Sequence, residues 1–440
     1  MSLTSAISNA LSGLGASSLA AEIVSSNLSN ATNETYAKRE ITQVSNINGG
    51  VKVTGILRQR DAALQSSVNS QAANFAAANT RTLAFAGVDA AVGTVGEDGS
   101  LTSTLDALQS ALISASAAPE SDLRLQQVLY AAGDLATGMN NVEEAIQAER
   151  LSADQSIATD IDVANEALSQ IEKLNKQIVT LSANGRSTAT LLDRRDAAVA
   201  TLSEIIPVRM LERDSGAIAL VSRGGQVLLD GKAVTLEFTA AQGMDAEMSL
   251  AGGALSGVSI AGKDGSDISD RLVGGRLEAA FEVRDSLMPT ASEELDALRQ
   301  QLLSDTSFDG AGLFTETNGK LSVNSQLEAE PWRLRDGFAA AGQGYAGNTG
   351  YLDTLTQGLS DLSGVFGDYV TGQSGQLLRA EMSQSAASAS YAAMSEAVAA
   401  EGVDSDAELQ TLLIIEKIYT ANARVISVVD EMMDTLMRMT

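Results

Sequence analysis

The chain has 440 residues, with 29 Lys and Arg against 56 Asp and Glu and a formal net charge of −27. Nucleic acids and anionic membrane surfaces attract basic proteins, so neither is expected as a partner. No cysteine and no histidine occurs, which removes disulfides, thiolate metal sites and every Ser-His or Cys-His catalytic arrangement.

The first element is a helix. Leu3, Ile7, Ala10, Leu14, Ser17, Ala21, Val24 and Leu28 recur in steps of three and four, which places them on one face. It is expected to run to about Ser29 and stop in Asn30-Ala31-Thr32-Asn33. Strands follow at about Arg39–Val44 and Val51–Leu57, joined around Asn48-Gly49-Gly50. A helix covers about Gln59–Ala91, and Gly93–Gly99 breaks it; another covers about Leu101–Ala117. Pro119-Glu120-Ser121-Asp122 reads as a break and a new N-terminus. From Leu123 to Ser182 no proline occurs; at 1.5 Å per residue this rod would span about 90 Å. A helix at about Thr190–Glu204 ends before Pro207.

Glycine then becomes frequent, and Ala217–Val221, Gln226–Leu229 and Ala233–Phe238 read as strands. Helical sequence returns at Leu277–Leu303, residues 305–350 are loop-rich, and helices run from about Tyr351 to the end, with a turn at Glu401–Asp406. The last helix carries two stripes. One is Leu412, Ile415, Tyr419, Asn422, Ile426, Val429, Met433 and Leu436; the other is Ile414, Ile418, Ala421, Val425, Val428 and Met432. Two stripes make a wide apolar face, suited to several helical neighbours.

Glu22 is the one charged residue among 1–30, and residues 409–440 carry a net −1. Removing −1 at each end from −27 leaves −25 for the middle. Near-neutral ends on an acidic body suit assembly through the termini. The candidate interface is Leu3, Ile7, Leu14, Val24 and Leu28 with Leu412, Ile415, Tyr419, Ile426, Val429, Met433 and Leu436. The fold class expected is mainly α with a β-rich insert: paired terminal helices, an elongated helical bundle and a smaller all-β or mixed outer domain. The units expected are a coiled-coil axial core (1–35 with 405–440), an elongated helical domain (36–205 with 275–304 and 351–404, hairpin near 39–57) and an outer insert (206–274 with 305–350).

Several segments carry a family resemblance. Ser2–Thr35, above all Ser25-Ser26-Asn27-Leu28-Ser29-Asn30-Ala31, is similar to the N-terminal motif of flagellar axial proteins. Gly55-Ile56-Leu57-Arg58-Gln59-Arg60-Asp61, Leu191-Leu192-Asp193-Arg194-Arg195-Asp196 and Gly274-Gly275-Arg276-Leu277 resemble elements of the FlgK family of hook–filament junction proteins. So do Ala407-Glu408-Leu409 through Tyr419-Thr420-Ala421-Asn422-Ala423-Arg424-Val425-Ile426, and Asp430–Leu436. Asn33-Glu34-Thr35-Tyr36 stands where the family has a Pro-Gly-Tyr turn, and Leu303-Ser304-Asp305-Thr306-Ser307 where it has Val-Asn-x-x-His.

The resemblance implies a structural adaptor, not an enzyme, that forms a ring of copies between hook and filament. It implies export without cleavage through the flagellar type III apparatus to an extracellular place on the flagellum, in keeping with the lack of a visible signal peptide. The partners implied are the hook protein, a second junction protein or the flagellin side of the filament, and an export chaperone at the C-terminal helix; no cofactor or metal is implied. Another axial protein of hook or rod, or a non-flagellar helical scaffold or adhesin, are the alternatives. The insert is short for the family, so an extra outer domain is expected to be missing.

Other signals read as local structure. Gly342-Gln343-Gly344-Tyr345-Ala346-Gly347 has dinucleotide-loop spacing but no buried strand before it. The sequons at Asn27, Asn30 and Asn33 read as helix-end polar residues, Asp264, Asp267 and Asp270 as a solvated turn, and Asp193–Asp196 as a salt-bridge network at a helix start.

Overall fold

The computed structural model describes residues 3–33, 35–47, 49–263, 265–308 and 311–439. Ser2, Glu34, Asn48 and Asp264, each named above, lie outside them. The chain opens with α1, Leu3–Ser29, and the antiparallel hairpin β1, Arg39–Ser45, and β2, Val51–Arg58. Next come α2, Ala62–Val92, α3, Leu101–Ser116, α4, Asp122–Ala183, and α5, Ala189–Ile205. Asp61 caps α2, its carboxylate accepting from Ala63 N at 2.7 Å and Leu64 N at 3.1 Å. A four-stranded antiparallel sheet follows: β3, Val208–Glu212, β4, Ile218–Ser222, β5, Val227–Asp230, and β6, Lys232–Ala233. A smaller pair, β7, Leu236–Glu237, and β8, Ser259–Ile260, completes the insert.

The helical stretch expected at Leu277–Leu303 is continuous but irregular. It consists of α6, Gly275–Glu282, a π turn, Val283–Leu287, and α7, Met288–Asp305. Pro289 explains the irregularity: it has no N–H, and its ring would meet the carbonyl four residues back. The π turn, closed by Met288 N donating to Val283 O, carries the chain past that point.

Two small hairpins come next, β9, Ser307–Phe308, with β10, Ala311–Gly312, and β11, Phe314–Thr317, with β12, Lys320–Val323. Short helices α8, Ser325–Ala329, and α9, Arg333–Asp336, lead into α10, Gly350–Ala400, and α11, Ser405–Met439.

Two apolar clusters lie along α4, whose 62 residues span about 93 Å. The first joins the front of α4, up to Ala153, to α3, α7 and the first half of α10. The second begins at Ile157 and joins the back of α4 to α5, α6 and β3–β8. Between them sits a buried charged plug. Arg284 donates to Asp154 at 2.7 Å, and Arg150 reaches the carbonyls of Asp245 at 2.8 Å, Met248 at 2.6 Å and Arg284 at 3.0 Å.

The strands dock on α4 by an unusual device. Asn140, Asn165 and Asn175 each use both ends of the side-chain amide on one strand residue. Asn140 bonds Leu321 O at 2.8 Å and Leu321 N at 2.9 Å. Asn165 bonds Leu236 O at 2.9 Å and Leu236 N at 2.8 Å. Asn175 bonds Ile218 O at 2.9 Å and Ile218 N at 3.2 Å. The helix thereby satisfies backbone groups that these strands would otherwise bury unpaired.

The apolar residues of 305–350 and of 206–274, expected in one outer insert, are buried in different clusters. Leu313, Phe314, Leu321, Leu327, Leu334 and Phe338 are buried in the first cluster, whereas Ile218, Leu220, Leu228, Leu229 and Val258 are buried in the second. The short hairpins after α7 turn their apolar residues back onto the bundle, so this loop-rich stretch is a lid on the helices.

Candidate assembly interface at the chain termini

Helices α1 and α11 run antiparallel. Asn27 bonds Glu408 at one end, and Asn422 sits on Gly13 at the middle, where a β-carbon would lie 2.6 Å from Asn422 Nδ2. The same offset at both points places Leu3 opposite residue 432, Ala6 opposite Val429 and Ile23 opposite Leu412. The predicted stripes follow this register only in part. Val24 and Val429 are buried, and Leu3, Ile7, Leu14, Leu28, Leu412, Ile415 and Ile426 are half-buried. Tyr419, Met433 and Leu436 are exposed. The second stripe of α11 is open: Ile414 is 57 % exposed and Ile418, Val425, Val428 and Met432 about half exposed.

The paired helices are tied to the body by polar contacts. Asn27, 1 % exposed, donates from Nδ2 to Arg39 O at 2.9 Å and to Glu408 Oε2 at 3.1 Å. Its Oδ1 accepts from Tyr36 OH at 2.8 Å and Arg39 N at 3.1 Å. Glu408, 3 % exposed, also holds Lys38 Nζ at 3.1 Å. Asn27 therefore closes the turn after α1 and the start of α11 at once. The other sequons are helix-end bonds: Asn30 Nδ2 donates to Ser26 O at 2.8 Å, and Asn33 Oδ1 accepts from Thr35 Oγ1 at 2.8 Å.

Arg39 and Arg58 are directly opposed across the hairpin, and such like charges repel. Asp193 of α5 sits between them, at 2.6 Å from Arg39 and 2.7 Å from Arg58. Asp196 takes Arg58 at 2.5 Å and Arg60 at 3.2 Å, and Gln65 accepts from Arg60 as well. Burial pulls the Arg60 guanidinium below its usual range, with Asp196 opposing that shift. The expected network at the start of α5 is thus a clasp on the hairpin. Arg195 of the same motif turns inward to Gly216 O at 2.8 Å, and Arg194 is exposed.

Sequence reasoning missed Lys38, Arg39 and the buried role of Glu408. A usable signal was present: Arg39, Arg58 and Arg60 crowd into a short stretch of an otherwise acidic chain, and each needs a carboxylate. Among the described residues, no group of three or more Asp or Glu is placed to hold a metal ion. No helix of the described residues is long and apolar enough to cross a membrane. The glycine-rich loop is a turn tied to Asp336, whose carboxylate accepts from Gly344 N at 2.9 Å and Asn348 Nδ2 at 3.2 Å. Asp267 accepts from Ser269 N at 2.8 Å, a local turn contact.

A family model described as the flagellar hook-associated protein FlgK helical domain matches residues 85–307. The chain belongs to the FlgK family. A second model, flagellar basal body rod FlgEFG protein C-terminal, matches residues 394–439, which include α11. Flagellar hook-associated protein 1 of Salmonella typhimurium is 25% identical over 242 residues, 52% of this chain and 43% of that protein. Its Escherichia coli K12 counterpart is 24% identical over 241 residues, 52% of this chain and 44% of that protein. The solved flagellar hook junction protein FlgK from Burkholderia pseudomallei aligns at 20% identity with a TM-score of 0.47, over 57% of this chain and 47% of that one. The alignments span less than half the length of these proteins.

The family motifs now have partners. The hairpin-end element supplies Arg58, Arg60 and Asp61, and the α5 element supplies the carboxylates that hold the two arginines. Arg276 of the double-glycine element pairs with Asp160 of α4 at 2.6 Å. Gly275, at φ +73, lets α6 start against α5, since a β-carbon there would lie 2.4 Å from Ile205 O.

Glu408→Ala is expected to remove the carboxylate that Lys38 reaches at 3.1 Å and one of the two acceptors of the Asn27 amide, at about 1–3 kcal/mol. Hydrogen exchange in the first turn of α11 should then quicken by about tenfold to a hundredfold, at 1.4 kcal/mol per decade. Unchanged exchange there would show that the Glu408 contacts are not what holds α11.

Proposed function

We propose that the chain is a structural adaptor of the bacterial flagellum, joining hook to filament by assembling in a ring through α1 and α11. The carrying observation is the open stripe of α11. Ile414, Ile418, Val425, Val428 and Met432 present a row of apolar side chains on the face of α11 next to the one that α1 occupies. Contiguous apolar surface of that kind marks a contact site. Its neighbours would be further copies of the chain, the hook protein on one side and a second junction protein or flagellin on the other. The same face needs covering in the unassembled chain, which supports an export chaperone at α11 and passage through the type III apparatus. Residues 85–307 favour a junction protein over the second reading, a hook or rod component, which rests on the terminal match at 394–439.

Labelling the chain on purified flagella tests the proposal. Signal confined to the boundary between hook and filament is expected. Signal along the hook or in the rod would replace the junction reading with the axial alternative.

A further inference from the structure

Beyond Val429, the last buried residue of α11, the helix carries Met432, Met433, Met437 and Met439. These are four of the chain's 12 methionines, in a sequence without cysteine. Thioether sulfur is therefore the most readily oxidised group the chain offers. Accessibility separates these four from the core methionines: Met437 is 70 % and Met439 80 % exposed, and Met432 and Met433 are exposed as well, as is Met382 on α10, whereas Met139 and Met288 are fully buried.

We propose that this methionine cluster is an oxidation site that turns off the assembly face of α11. The proposal rests on the assembly reading above. Hydrogen peroxide is the oxidant. Each sulfide forms one S–O bond as the peroxide O–O bond breaks; sulfur is oxidised to the sulfoxide and the peroxide is reduced to water. Each event replaces a flexible apolar side chain by a polar one, and Met-rich contacts are weakened by that change. Met432 matters most, since it lies on the open stripe itself. A contact made by that stripe would shield the sulfur, so only the unassembled chain would be sensitive.

The test has two readouts on the purified full chain. After brief peroxide treatment, peptide mass spectrometry should find sulfoxide at 432–439 at least about tenfold faster than at Met139 and Met288. Binding to hook-ended flagella from cells lacking the chain should then fall by about tenfold or more. The variant carrying Met432→Leu, Met433→Leu, Met437→Leu and Met439→Leu should bind equally well before and after treatment. Oxidised wild type that binds as untreated chain does overturns the proposal, as does a leucine variant that loses binding equally on treatment. Untreated chain that fails to bind sinks the assembly reading and the switch together, while the map of oxidised sites stands by itself.

Discussion

Arg284→Met is expected to remove about 3–5 kcal/mol of stability, the cost of breaking a buried ion pair from one side. Arg284 is fully buried at the π turn, and Asp154, equally buried, receives its guanidinium at 2.7 Å. Methionine roughly fills the space but strands the Asp154 carboxylate with one remaining bond, to Ala241 N at 2.6 Å. Asp285, the other carboxylate on Arg284, is 25 % exposed and recovers water, so its loss is small. The stacking of the guanidinium over Phe281, 4.9 Å from the ring centre, also goes. The pair sits where one apolar cluster gives way to the next, so the damage should spread into the insert through Ala241 and the Ser256 carbonyl. Urea unfolding followed by circular dichroism measures the loss. The double variant Arg284→Met, Asp154→Leu should recover most of it, because a pair of apolar groups leaves no stranded charge. A single variant within about 1 kcal/mol of the parent would mean that the plug is solvated or dispensable.

The helices were legible because each carries its own periodic record. The observed α1, α3 and α4 fall within a residue or so of the expected spans, and Ser100 and Asp61 mark their helix starts by side-chain caps. Strands were harder. The expected Ala233–Phe238 run is two separate strands, β6 and β7, and β3 had no prior assignment. What completes these short strands is the row of asparagines on α4, and an asparagine in a helical sequence reads as an ordinary exposed polar residue. Nothing local tells that Asn165 answers Leu236. The same limit hid the clasp: Asp193 was visible as a charge at a helix start, but Arg39 and Arg58 come from a hairpin far away in sequence. The family motifs were recognisable as strings long before their reason was. The elements at 55–61 and 191–196 are two halves of one ion network, and those at 25–31 and 407–409 meet at Asn27 and Glu408. The packing of 305–350 was hidden for the opposite reason. Loop-rich composition describes the backbone, and it does not say which surface the few apolar residues of a loop will cover.

Val429→Asp is expected to abolish incorporation into flagella while leaving both apolar clusters folded. Val429 is buried opposite Ala6, and an unpaired carboxylate there costs several kcal/mol, enough to open the end of a two-helix contact. The charge would be confined to that contact, because neither cluster contains a residue of α1 or α11. Urea unfolding of the purified variant should therefore match the parent, while the amount recovered on flagella falls by at least about a hundredfold, the effect of roughly 3 kcal/mol. Val428→Asp sharpens the test. Val428 is half exposed on the open stripe, so a carboxylate there meets water in the free chain and leaves the α1–α11 pair intact. If the stripe is the contact face, this variant also fails to incorporate, with hydrogen exchange in α11 unchanged. If Val429→Asp incorporates at the parent level, the terminal pair has no part in assembly. If Val428→Asp does so while Val429→Asp does not, the pair matters only as a strut, and the contact face lies elsewhere on the chain.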